Sequence, residues 1–209
     1  MMYKHLSPFF EKIWENFISF IRPIDYRTLV ACFVISVALW PLIWIGFIRP
    51  TKPVLEIASV VITALFTLAL IVRYVLTRHL FLLWAAAFVG IALSREIHFT
   101  GSDEILIIGW PILAAIVIWR YDLFKSYLMN PVLMNLLAGG FLFYCISQTV
   151  DQRWWKGLPG EKVVFVRLEE TIELLGHCTV GIALLFGKEV RQPDRTTSAG
   201  EAEKHIPNV

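Results

Sequence analysis

Apolar residues run along this chain in long blocks separated by short charged strings, and block length decides what each one forms. A membrane-crossing helix needs about 20 mostly apolar residues, because each residue rises 1.5 Å through a hydrocarbon layer about 30 Å thick. Six blocks fit that pattern: 28–48, interrupted only by Pro41; about 54–72, with Glu56 near its start; about 76–94, ending in Arg95-Glu96-Ile97-His98; 105–119, with Pro111 inside; about 131–150, holding Gly139-Gly140; and 163–187. Proline and glycine are admissible there because neighbouring helices satisfy the freed backbone groups. The third and fourth blocks are short, so their flanking arginines are expected to snorkel to the headgroups.

Ahead of the first block, Phe10, Ile13, Trp14, Phe17 and Ile21 recur at helical spacing, while Glu11, Lys12, Glu15 and Asn16 take the other side. That pattern predicts an amphipathic helix lying in the membrane interface. Its apolar run is broken by charges, which argues against a cleavable secretory signal. Beyond Gly187 the chain turns polar, with Pro, Ser, Thr and Gly, and is expected to be disordered. The expected organisation is an interfacial segment over 1–27, a six-helix transmembrane domain over 28–187 and a cytoplasmic tail over 188–209. The expected fold class is all-α, a polytopic membrane helix bundle.

Composition strengthens this reading: 57% of residues are hydrophobic, 17% are charged, and mean hydropathy is +0.64. An ordinary soluble domain carries about 25% charge and roughly 45–50% apolar residues. Soluble enzymes, nucleic-acid binders and disulfide-stapled modules are therefore disfavoured. Cys32, Cys145 and Cys178 all fall inside apolar blocks without a CxxC pair and are read as packing residues. The net charge of +2 is a small difference between 19 basic and 17 acidic residues, so only its distribution informs. With six spans both termini share a side, and that side collects twelve of the 19 basic residues. The positive-inside rule then places both termini in the cytoplasm, in a membrane of bacterial inner-membrane type.

This topology brings distant polar residues to the non-cytoplasmic face: Glu56; Arg95, Glu96 and His98; Asp151, Gln152 and Arg153; and Arg167, Glu169, Glu170, Glu173 and His177. Glu170, Glu173 and His177, three and four apart, share one helix face. A charge at membrane depth costs about 2.5–3.5 kcal/mol, so such residues face the bundle interior and have partners. Glu173 and His177 at i, i+4 can chelate one ion, with His98 completing a metal set for zinc or iron. Glu96, Glu170 and Asp151 are the candidate catalytic carboxylates, able to move protons or complete the shell. Arg95, Arg153 and Arg167 are candidate anchors for an anionic lipid headgroup. Trp154 and Trp155 read as an interfacial belt and Asn135 as an interhelical hydrogen bond.

The leading expectation is thus a membrane-embedded, metal-dependent hydrolase or transferase acting on a lipid. One alternative is a redox protein with His98 and His177 as axial haem ligands. Another is a proton- or ion-coupled carrier or accessory subunit whose acidic helix is a relay or contact. Membrane lipids are the expected partners and nucleic acid is not. The sequence leaves reaction, substrate and oligomeric state open.

Overall fold

The computed structural model describes residues 3–155, 157 and 164–189, and among them every regular element is an α-helix. The elements are α1 (Tyr3–Ile21), α2 (Tyr26–Trp44), α3 (Lys52–Thr77), α4 (Leu80–Glu96), α5 (Ser102–Trp119), α6 (Tyr121–Leu128), α7 (Pro131–Asp151) and α8 (Val164–Phe186). Most of the tail expected to be disordered, 190–209, lies outside the described residues.

Helix ends follow local chemistry. The Asp25 carboxylate caps α2 by accepting from Arg27 N, and Asn130 caps α7 by accepting from Val132 N and Leu133 N. Both fill the vacant donors of a first turn. Pro53 and Pro131 occupy first-turn positions of α3 and α7, where no amide hydrogen bond is lost. Asn135 makes the expected interhelical bond, accepting from the Asp25 amide at 2.6 Å and tying the start of α2 to α7.

Among the described residues three helices, α2, α3 and α7, are long and apolar enough to cross a membrane. Taken as one broken span, Glu104–Trp119 with Tyr121–Leu128, bent by 94°, would make a fourth. The expected count of six is not confirmed. All six apolar blocks do form helices, but α4 has only 17 residues and the first half of α8 carries Arg167, Glu169, Glu170 and Glu173. Large apolar side chains cover much of the outside, among them Val30, Phe33 and Val34 of α2 and Ile57, Leu65 and Leu68 of α3. An apolar exterior of this extent suits contact with lipid.

The bundle is built around α8, which packs most extensively on α7 and also against α3, α2 and α4. Glycines allow the closest approach. A Cβ on Gly140 would stand 2.5 Å from Val180 Cγ2 and 3.2 Å from Val180 N, and one on Gly176 would meet the Tyr144 ring at 3.0 Å. Small residues at such crossings let helix backbones pack tightly where lipid offers no hydrophobic drive. The Arg73 guanidinium of α3 donates to the Leu185 carbonyl, satisfying the C-terminal end of α8. Helix α1 rests on α5 and α6 through Asn16 Nδ2 to the Ile118 carbonyl, 2.9 Å, and Lys12 to Asp122, 3.8 Å. Phe9, Phe10, Trp14 and Phe17 of α1 remain exposed.

Candidate functional site

Four helix segments meet at one end of the bundle: the start of α3, the end of α4, the C-terminal half of α7 and the first half of α8. The contacts among them are specific. Lys52 of α3 lies 3.3 Å from Glu56 one turn along and 3.6 Å from Glu170 of α8. Arg95 at the end of α4 pairs with Glu173 of α8. Glu96, the next residue, has its Oε1 3.2 Å from His177 Nε2. From α7, the Tyr144 hydroxyl lies 2.7 Å from His177 Nδ1, with the two rings edge to face. Residues up to 118 positions apart in sequence, Lys52 and Glu170, thereby touch.

Glu96, Glu173 and His177 form the core of this site. Each offers one ligand atom, and the three atoms lie within 4.8 Å of one another. The side chains of Glu96 and Glu173 are each 7% exposed and that of His177 is 2% exposed. Adjacent residues on α4 divide the work: Arg95 neutralises one α8 carboxylate while Glu96 faces the imidazole one turn further along α8. On the same helix Leu168 and Ile172 are fully buried in an apolar cluster with Ile43, Phe143 and Ile146. A carboxylate there is stable only with partners, which α4 supplies.

His177 Nε2 is the unusual atom. Although Glu96 Oε1 is 3.2 Å away, Nε2 is buried without a hydrogen bond of acceptable geometry. The proximity is therefore an electrostatic contact rather than a directed bond. If Nδ1–H donates to the Tyr144 oxygen, Nε2 presents its lone pair to two carboxylates. That arrangement is relieved by a proton on Nε2 or by a metal cation among the three. The orienting hydrogen bond on the far nitrogen is the usual support of a metal-binding histidine.

Charge balance points the same way. Within this contact network Lys52 and Arg95 face Glu56, Glu96, Glu170 and Glu173. Two cations against four carboxylates leave an excess of negative charge that protons or a bound cation can balance. Ligands about 2.1 Å from a common metal stand at most about 4.2 Å apart. In a tetrahedral shell they stand about 3.4 Å apart, so a spacing of 4.8 Å would close by about 1.4 Å on binding.

The other expected site residues lie elsewhere. His98 is exposed just beyond α4 in left-handed backbone, φ 52, with Nδ1 2.8 Å from the Glu96 carbonyl. It is not in the three-ligand group. Asp151 is exposed at the end of α7, where it accepts a long 3.4 Å contact from Gln152 Nε2. Arg153 is exposed and Arg167 half-buried, whereas Glu170 is held by Lys52. Sequence reasoning missed Tyr144 and Lys52. Tyr144 lies one turn before Ser147 on α7, among Leu142, Phe143, Cys145 and Ile146, where a tyrosine reads as packing. Lys52 stands at i, i+4 to Glu56, a pairing visible in sequence.

An open pocket of about 400 Å³ adjoins this centre, lined by Glu56, Ile57, Val60, Val61, Glu96 and His98. Comparison with protein-family models, with curated proteins and with solved structures finds no match for this chain.

Proposed function

We propose that this integral membrane protein is a metal-dependent hydrolase or transferase acting on a lipid, with Glu96, Glu173 and His177 as the ligands of one zinc or iron ion. The observation that carries the reading is the Glu96, Glu173 and His177 group, whose ligand atoms lie within 4.8 Å of one another, beside a buried His177 Nε2 that makes no hydrogen bond. Three protein ligands with further positions open are the donor set of catalytic rather than structural metal sites. A divalent ion bound there supplies Lewis acidity and neutralises developing negative charge. Tyr144 positions the imidazole, Arg95 orients Glu173, and Glu170, tethered to Lys52, is the carboxylate assigned to move a proton. With both termini cytoplasmic, the site opens at the outer face of a bacterial-type inner membrane, and α1 lies along the inner interface.

A second reading has one observation in its favour: Arg95 already pairs with Glu173, as in a metal-free proton relay of a carrier. The haem alternative is weaker. His98, the second axial ligand that reading needs, is exposed and lies outside the group that holds His177.

The test is turnover in vesicles of total membrane lipid carrying the purified chain, with lipid species followed by mass spectrometry. The expected result is a change in lipid species that stops with a chelator, returns with zinc or iron, and is missing in Glu173→Gln and His177→Ala. A lipid pool unchanged in every arm, with the wild-type protein folded, would overturn the proposal. Proton flux insensitive to chelation would favour the relay.

A further inference from the structure

Hydroxyls inside this bundle follow one habit, and two of them break it. Ser36, Thr63, Thr67, Thr149, Thr171 and Thr179 each donate to a carbonyl three or four residues earlier in their own helix. That back-bonding is the ordinary way a helical hydroxyl is satisfied away from water. The hydroxyls of Ser59 on α3 and Ser147 on α7 are buried and make no hydrogen bond. Among the described residues, the other buried side-chain polar atoms in that condition are Trp40 Nε1 on α2 and His177 Nε2 in the centre. Burying a polar atom without a partner is costly, so each such atom calls for a reason.

Helix register places both serines at the centre. On α3, Lys52, Phe66 and Arg73 all meet α8, at Glu170, Gly181 and Leu185. Their numbers belong to a series with a step of seven, close to two helical turns, and Ser59 is its remaining member. Ser59 therefore stands on the same face of α3, at a height midway between Glu170 and Gly181. His177, seven residues beyond Glu170, shares the side of α8 that meets α3 there. On α7, Leu133 lies against Gly187 and Gly140 against Val180. The next step of seven on these antiparallel helices sets Ser147 opposite Glu173. Each unpaired hydroxyl thus stands beside one of the three proposed ligands.

We infer that the hydroxyls of Ser59 and Ser147 hold a water molecule at the centre, in a position that Glu96, Glu173 and His177 leave open. The inference rests on the proposed metal centre and adds to it the two residues that hold its exchangeable ligand. A buried water needs two to four polar partners, and a serine hydroxyl can both donate to it and accept from it. Neither serine is spent on its own backbone, so both hydroxyls are free to turn to that ligand.

The experiment is cobalt(II) loading of the full, chelator-stripped chain, followed by azide titration read from the visible spectrum. Cobalt stands in for zinc, and azide is a small anion that takes the place of water. Ser59→Ala and Ser147→Ala each remove one oxygen and keep the shape of the side chain. Ser36→Ala, which removes a buried back-bonded hydroxyl from α2, is the control. The expected result is cobalt affinity kept in every variant, with azide affinity unchanged in the control. Ser59→Ala and Ser147→Ala should each lower azide affinity about tenfold, the effect of one lost hydrogen bond to a charged ligand. Azide affinity unchanged in either of them, or an equal loss in Ser36→Ala, overturns the inference and leaves the metal centre standing. Cobalt and azide affinities that fall together also overturn it, because the serines would then shape the ligands rather than hold the water. A wild-type chain that takes up no cobalt refutes the metal centre itself, and the inference with it.

Discussion

Replacing Tyr144 by Phe takes away the hydroxyl 2.7 Å from His177 Nδ1 while keeping the ring packed edge-on against the imidazole. Loss of such an orienting partner typically costs about 10–100-fold in metal affinity. Zinc titration of the variant should show that drop with the fold intact. Arg95→Met makes a different point. It leaves the Glu173 carboxylate buried without its partner, and in metal-free protein this should cost about 3–5 kcal/mol. The double variant Arg95→Met/Glu173→Leu should recover most of that stability in thermal unfolding, because it removes the stranded charge as well. Removing Lys12 from its exposed pair with Asp122 should be close to neutral. At this scale the sequence revealed half of the centre. Glu173 and His177 were legible because helical spacing alone puts them on one face. Glu96 was found by topology and read as a proton-transfer group, since nothing in a sequence distinguishes a carboxylate aimed at an imidazole from one beside it. Tyr144 stayed hidden because a tyrosine amid glycines and phenylalanines looks like packing until its depth is known.

Among the elements, the α7–α8 crossing sets the height of Tyr144 against His177 and so governs the site from a distance. Gly140→Val would drive a branched side chain into Val180, whose backbone nitrogen leaves little room to yield. The expected cost is about 1–3 kcal/mol, the usual range for overpacking, together with weaker zinc binding as the helices part. Gly90→Ala is the matched control, since its Cβ would meet only Thr67 Cγ2 at 3.8 Å. Thermal unfolding and zinc titration of the pair separate packing from a general effect of losing a helical glycine. The helices of the apolar blocks were legible from length and charge. Helix α6 was not, because its eight residues sit in what reads as a charged connection with Arg120 and Lys125. Its buried Tyr121, Phe124, Tyr127 and Leu128 do stand at helical spacing, but the segment is too short for periodicity to speak without the neighbours it packs on.

For the whole molecule, the decisive feature is that α3 and α8 begin where α4 and α7 end. This alternation carries Lys52, Arg95, Glu96, Tyr144, Glu170, Glu173 and His177 to one end of the bundle. It was legible in the sequence as a consequence of counting spans, although length and composition support three or four spans rather than six. The contacts between helix ends do not depend on that count; the orientation across the bilayer does. In a background freed of its three cysteines, single cysteines at Ser198 and Gly157 should react with impermeant reagents from opposite sides, cytoplasmic and outer respectively. Labelling from one side would remove the six-span topology. The most direct measurement on the account as a whole is a zinc titration of purified, chelator-stripped protein, beside His177→Ala and Glu173→Gln. The account predicts about one equivalent bound by the wild type and none held at this site by either variant. A wild-type chain that takes up no zinc or iron, or variants that bind as the wild type does, would contradict it.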